Sequence, residues 1–144
     1  MRTKDFLHKL QHDRIVRAIA AAEKKTSGEI RVFVQHGEID DPVAAARKQF
    51  EQLGMTATRD RNAVLIFVAP RSQKFAVIGD EGIHRRCGDG YWAELIARMR
   101  INFQADNFTD AIVHGIAQTG DLLAEHFPRR PDDRNELPDA VEEG

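Results

Sequence analysis

The residues with most chemical potential in this sequence are carboxylates set among glycines. Between Gly79 and Gly90 the chain places Asp80, Glu81 and Asp89 beside Gly79, Gly82, Gly88 and Gly90, the composition of a loop that carries function. Asp60 precedes one strand-like segment and Glu29 opens another. Carboxylates brought within about 4 Å repel by roughly 4 kcal/mol at an effective dielectric near 20, so such a cluster spreads into water, takes up a proton or binds a cation. Hard oxygen ligands on glycine-rich loops suit the flexible coordination of calcium, whereas magnesium keeps more of its water. The expectation is a divalent-cation site, for calcium or magnesium, built from Asp60, Asp80 and Glu81, with Glu29 and Asp89 in reach. A solvated acidic loop is the plain alternative.

Other chemistries find less support. A cysteine-dependent phosphatase needs an arginine six positions after its nucleophile, and six positions after Cys87 stands Ala93. No Asp-x-Asp nucleophile motif is present, so both common covalent routes lack their residues. Metal-assisted hydrolysis through Asp60, Asp80 and a bound water stays open, with Arg85 or Arg86 able to hold phosphate. Those two arginines also precede Cys87, a setting that favours a thiolate, but no partner base is identifiable. His8 and His12 share an i, i+4 spacing on a helical segment without a third ligand, and His84 lies near the acidic loop. Neither G-x-G-x-x-G nor a terminal Gly-Lys-Ser/Thr occurs among the glycines, which leaves nucleotide binding unsupported.

The elements that must position these groups follow from periodicity. Phe6, Leu7, Leu10, Ile15, Val16 and Ile19 recur at helical spacing, with a break expected near Gln11 to Asp13. Thr26, Ser27 and Gly28 stop that helix, and Glu29 to Gln35 reads as the first strand. Asp41 before Pro42 is an N-cap pattern that opens a helix to about Leu53. Asn62 to Ala69 is apolar on both faces, the mark of a central strand. Pro70 to Gln73 forms a hairpin turn into Lys74–Gly79, which runs back antiparallel. Trp92, Leu95, Ile96, Met99 and Phe103 form one helical core stripe, and Asn107 caps a last helix that Pro128 ends. The helix between the first two strands makes them parallel neighbours or near neighbours with a right-handed crossover. Glu29, Asp60, Asn62, Asp80 and Glu81 therefore converge on one end of the sheet, within reach of Asp89.

Composition sets the frame. The chain has 144 residues, 42% hydrophobic and 31% charged, enough for one core of its own. A formal net charge of −2 provides no global basic field, so nucleic acid is not an expected partner. One cysteine excludes an intramolecular disulfide and multi-cysteine metal sites. The apolar run Ala63 to Ala69 is far short of the roughly 20 residues of a spanning helix, and no signal-peptide pattern is visible, so a cytoplasmic location without membrane insertion is expected. The domain is expected over residues 1–127, and residues 128–144, acidic and with almost nothing to bury, are expected to be a disordered tail.

Several of these segments carry a resemblance. Thr26-Ser27-Gly28-Glu29 before a strand, Asn62-Ala63-Val64-Leu65 opening the central one, Gly79-Asp80-Glu81-Gly82 closing the next, and Phe103 to Ile112 followed by Gly115 together resemble the TPM domain family over roughly Leu10 to Phe127. Named members include a thylakoid lumen protein, a photosystem repair factor and a receptor-modulating protein, to some of which acid phosphatase activity and calcium binding have been ascribed. The resemblance implies a three-layer α/β/α sandwich around a small mixed sheet and a cation site. Set against the family pattern, no export signal or membrane segment is expected here, Ala63 stands where glycine is usual, and the glycine motif at Gly79 to Gly82 is shorter. The leading expectation is a cation-binding accessory module, the second a metal-dependent acid phosphatase, and the third a structural domain that engages a protein partner.

Overall fold

A computed structural model describes residues 1–88, 90, 92–130 and 141–144. Its centre is β2 (Ala63–Ala69), buried along its whole length. Alternation explains why both faces must be covered. Val64, Ile66 and Val68 enter one apolar cluster, while Ala63, Leu65, Phe67 and Ala69 enter another on the opposite side. Fully burying a side chain as large as Phe67 contributes about 1.5–3 kcal/mol, so two clusters on one strand fix its register firmly.

β1 (Glu29–Val34) pairs parallel with β2, and β3 (Lys74–Gly79) pairs antiparallel on the other side. Between β2 and β3 a single 3-10 turn at Pro70–Ser72 closes on Gln73, whose φ is 51°. The crossover from β1 to β2 is α3 (Pro42–Gln52), which packs on β3 and β2. Asp41 caps it as its sequence indicates, one carboxylate oxygen accepting from Val43 N at 3.0 Å and Ala44 N at 3.2 Å.

The opposite layer holds α2 (His12–Glu23), α5 (Ala93–Gln104) and α6 (Phe108–His126), with α1 (Thr3–Lys9) at its edge. The arrangement is the expected three-layer α/β/α sandwich around a mixed sheet. The expected break in the first helix falls at Leu10–Gln11, where Gln11 N donates to Thr109 Oγ1 at 3.1 Å instead of continuing the helix. His8 and His12 consequently sit on separate helices, which removes the i, i+4 geometry expected of them. Asn107 occupies the expected N-cap position of α6, but its side chain makes no capping bond.

Two segments differ from expectation. Most of the stretch expected to be irregular after β3 is a helix, α4 (Glu81–Cys87), because Asp80 Oδ1 accepts from Glu81 N at 2.8 Å and caps it. The end of the expected disordered tail is also ordered. Val141–Glu143 form β4, parallel to β1 in the sheet order β3-β2-β1-β4. The physical reason is a charge. Arg31 lies within β1 with a side chain only 7% exposed, and Glu142 supplies its carboxylate partner. Gly144 N donates to Val34 O at 3.1 Å and His36 N to Gly144 O at 2.7 Å, which extends the pairing. The remaining acidic positions of that tail, within residues 131–140, lie outside the described residues. Among the described residues no helix is long and apolar enough to cross a membrane.

Candidate functional site

The register of the sheet brings the expected residues to one end. Glu29 pairs with Ala63, Val64 with Gly79, and Asp80 N donates to Ala63 O at 2.9 Å. The N-termini of β1 and β2 and the C-terminus of β3 are thus level. Asp60 and Arg61 lie in the loop that approaches β2.

That loop and the start of α4 are locked together. Arg61 has a φ of 51°, the left-handed region that non-glycine residues visit rarely. Its turn aims the carbonyl at α4, where Gly82 N donates to Arg61 O at 2.9 Å. A Cβ on Gly82 would lie 2.1 Å from Asp60 O and 2.6 Å from Arg61 O, so only glycine admits this approach. The same turn lays the guanidinium of Arg61 across the carboxylate of Asp80. Nε donates to Oδ2 at 2.7 Å and Nη2 to Oδ1 at 3.0 Å, a bidentate pair on a carboxylate whose side chain is 6% exposed. Arg61 Nη1 lies 3.3 Å from Glu81 Oε1, and Arg85 Nη2 lies 3.4 Å from that same oxygen. Bonding to Asp80, with the nearby charges of Asp80 and Glu81, raises the pKa of Arg61 against a smaller opposing effect of burial, so its charge is permanent here. Asp60 is held from elsewhere, by Arg130 Nη2 at 2.6 Å.

Asp60, Asp80 and Glu81 therefore meet around arginine, with Glu29 buried at the head of β1 at the same end of the sheet. Asp89 lies outside the described residues. Arg61 and Arg130 are the residues that sequence reasoning passed over. Their signal was the charge alternation Arg59-Asp60-Arg61 in an otherwise plain loop and the Arg129-Arg130 pair next to the last helix. The donor set is one of hard oxygens, chemically right for calcium or magnesium. Among the described residues no three His, Cys, Asp or Glu side chains are arranged to hold a metal ion. Asp80 spends both carboxylate oxygens on Arg61 and the cap, so in this arrangement a guanidinium provides the positive charge.

The groups available for other chemistry are engaged in packing. Arg86 Nη1 donates to His126 O at 2.7 Å, and its guanidinium lies 4.6 Å from the Phe127 ring centroid, which clamps α4 to the end of α6. Cys87 is half-buried. Burial first, and Glu125 second, raise its pKa, and Arg86 only partly opposes them. The thiolate is disfavoured, contrary to the expectation drawn from Arg85 and Arg86. Because the folded pKa lies above the unfolded one, this contribution to stability is whole below the unfolded thiol pKa and is lost as pH rises through the folded value. Cys87 should accordingly react with iodoacetamide several-fold more slowly in the folded chain than in urea at about pH 8.5, where an unperturbed thiol is half ionised. Equal rates would contradict the protected thiol.

Comparison with known proteins agrees with this fold. A family model described as TPM domain matches residues 1–122. No curated protein matches. Among solved structures, the NMR structure of BA42 protein from the psychrophilic bacterium Bizionia argentinensis is similar at a TM-score of 0.86 and 38% identity, over 92% of this chain and 92% of that one. The N-terminal domain of a protein from P. gingivalis is similar in fold, with a TM-score of 0.55 and 14% identity over 82% of this chain and 75% of the other. The order of the elements, the family match over most of the folded chain and the likeness to BA42 lead to one conclusion: the chain belongs to the TPM domain family.

Proposed function

We propose that the chain is a divalent-cation-responsive TPM module, in which Asp80, Glu81 and Asp60 take up calcium in exchange for the guanidinium groups of Arg61 and Arg130. The observation that carries this reading is the sharing of Arg61 by Asp80 and Glu81. Neighbouring carboxylates on the loop and helix start require positive charge, and a side chain that is 36% exposed can leave without disturbing the core. Asp80 itself is buried, but the guanidinium groups of Arg61 and Arg130 are 36% and 44% exposed and can turn into water, so a cation with double the charge and hard-oxygen preference can take their place. Glu29, at the head of β1, is the further oxygen donor in reach by topology, and Asp89 is one by its nearness in sequence alone. Magnesium, which surrenders water reluctantly, should bind the same groups more weakly. The role this serves is that of an accessory or binding module, and a single cysteine suits a cytoplasmic setting.

The reading is tested by titrating calcium into metal-free protein and following backbone amide shifts by NMR, in the native chain and in Asp80→Asn. Saturable shifts centred on residues 60–62 and 80–84 are expected, with affinity reduced about tenfold or more in the variant, since a neutral amide is a poor calcium ligand. Binding that is unchanged in Asp80→Asn would contradict the site.

A further inference from the structure

The opposite end of the sheet holds a cavity that none of the above uses. It measures about 610 Å³ and opens beside Val68 and Ala69, at the C-terminal end of β2, between the β2–β3 turn and the α5–α6 turn. Its volume falls inside the ~300–1,000 Å³ range of small-molecule sites. Its place, outside the carboxyl end of one strand of a parallel pair, is where open α/β sheets bind ligands.

The lining is specific in chemistry. Phe6 and Phe108 make one tilted aromatic pair with centroids 5.0 Å apart, and Phe75 and Phe103 make another at 5.0 Å. Arg100 and Lys74 add positive charge, against Asp106 as the acidic lining residue. The guanidinium of Arg100 stands 5.8 Å from the Phe75 ring centroid, and among the described residues no carboxylate pairs with it. Lys74 Nζ donates to the carbonyl of Asp40 at 2.7 Å, a contact that leaves its charge unneutralised and further donors to use. Backbone conformation adds an independent observation. The described non-glycine residues with positive φ are Arg61, Gln73 and Asp106, and the latter two, at 51° and 61°, both line this cavity. Rare backbone conformations cluster where a ligand is clamped.

We propose that this cavity binds a small aromatic carboxylate, its ring between the two phenylalanine pairs and its carboxylate on Arg100 and Lys74. Rings offer tilted or offset faces to a planar body, and a guanidinium already lying near an aromatic face is set to receive a carboxylate through two parallel N–H donors.

The test uses 2-naphthoate and its uncharged counterpart 2-naphthamide as probes, each titrated into the whole chain while amide shifts are followed by NMR. Saturable shifts confined to residues 68–75 and 100–108 are expected, with the carboxylate bound about tenfold more tightly than the amide. Arg100→Met, at an exposed position, should retain the native spectrum, lose about tenfold in affinity for 2-naphthoate and bind 2-naphthamide unchanged. The proposal is overturned by equal affinity for the two probes, by an equal loss for both in Arg100→Met, or by shifts absent or scattered over the surface at millimolar probe. Naphthoate shifts at residues 80–84 instead would also overturn it, since they place the anion at the other end of the sheet.

Discussion

Replacing Gly82 with alanine should lower the unfolding free energy by about 3 kcal/mol, a large share of the 5–15 kcal/mol that holds a domain of this kind. The substitution looks mild from the sequence, because alanine is the better helix former by about 1 kcal/mol and Gly82 lies inside α4. Packing reverses the sign. The added Cβ would stand 2.1 Å from Asp60 O and 2.6 Å from Arg61 O, and both obstacles are backbone. The β2 approach loop must then move off α4, which breaks the Gly82 N to Arg61 O bond and pulls the guanidinium away from Asp80. Gly37→Ala is the matched control, since its nearest neighbour would be the end of the Gln35 side chain at 3.6 Å. Urea denaturation of the variants decides the matter through their midpoints at constant slope. A Gly82→Ala midpoint equal to that of Gly37→Ala would show that the loop yields freely and that the lock is not real.

Removing the guanidinium should strengthen calcium binding rather than weaken it. Arg61→Asn is the suitable variant, because asparagine tolerates the left-handed conformation that Arg61 holds, at φ 51°, whereas most residues add strain of their own. Asp80, its side chain 6% exposed, then faces Glu81 without its bidentate partner. The metal-free fold should weaken, and calcium should bind about fivefold to tenfold more tightly because it no longer displaces a paired cation. By simple linkage its stability should depend on calcium more strongly than that of the native chain, rising with the logarithm of calcium above its dissociation constant. Thermal unfolding with and without millimolar calcium measures this. A variant whose unfolding temperature ignores calcium, in a chain that folds, would remove the exchange model.

Much of the fold was legible because periodicity and turn chemistry point the same way. The run Ala63–Ala69 reads as a strand covered on both faces, and the Asp41-Pro42 cap places the start of α3. The end of the chain was not legible, since Val141-Glu142-Glu143 is too short and acidic to signal a strand. Its partner is Arg31, a charge within a strand buried throughout, and only the pairing of distant segments shows that Arg31 needs Glu142. The same limit applied at the candidate site. Strand order alone brought Asp60, Asp80 and Glu81 to one end of the sheet, but the sequence could not say that arginine would meet them there. That depends on a left-handed turn at Arg61 and on the close approach that Gly82 permits, neither of which has a local pattern. His8 and His12 show the reverse error, a local spacing cancelled when Gln11 N bonds to Thr109 rather than within the helix.

In the proposed exchange calcium replaces Arg61 on Asp80. This is tested most directly by following the Arg61 Nε–H resonance by NMR as calcium is titrated into metal-free protein. This resonance, shifted by its bond to Asp80 Oδ2, is expected to move saturably toward the position of a free guanidinium while the Glu81 and Gly82 amides shift in parallel. An Arg61 Nε–H signal that stays fixed at millimolar calcium, with those amides unmoved, would contradict it and leave Arg61 as the permanent cation of the site.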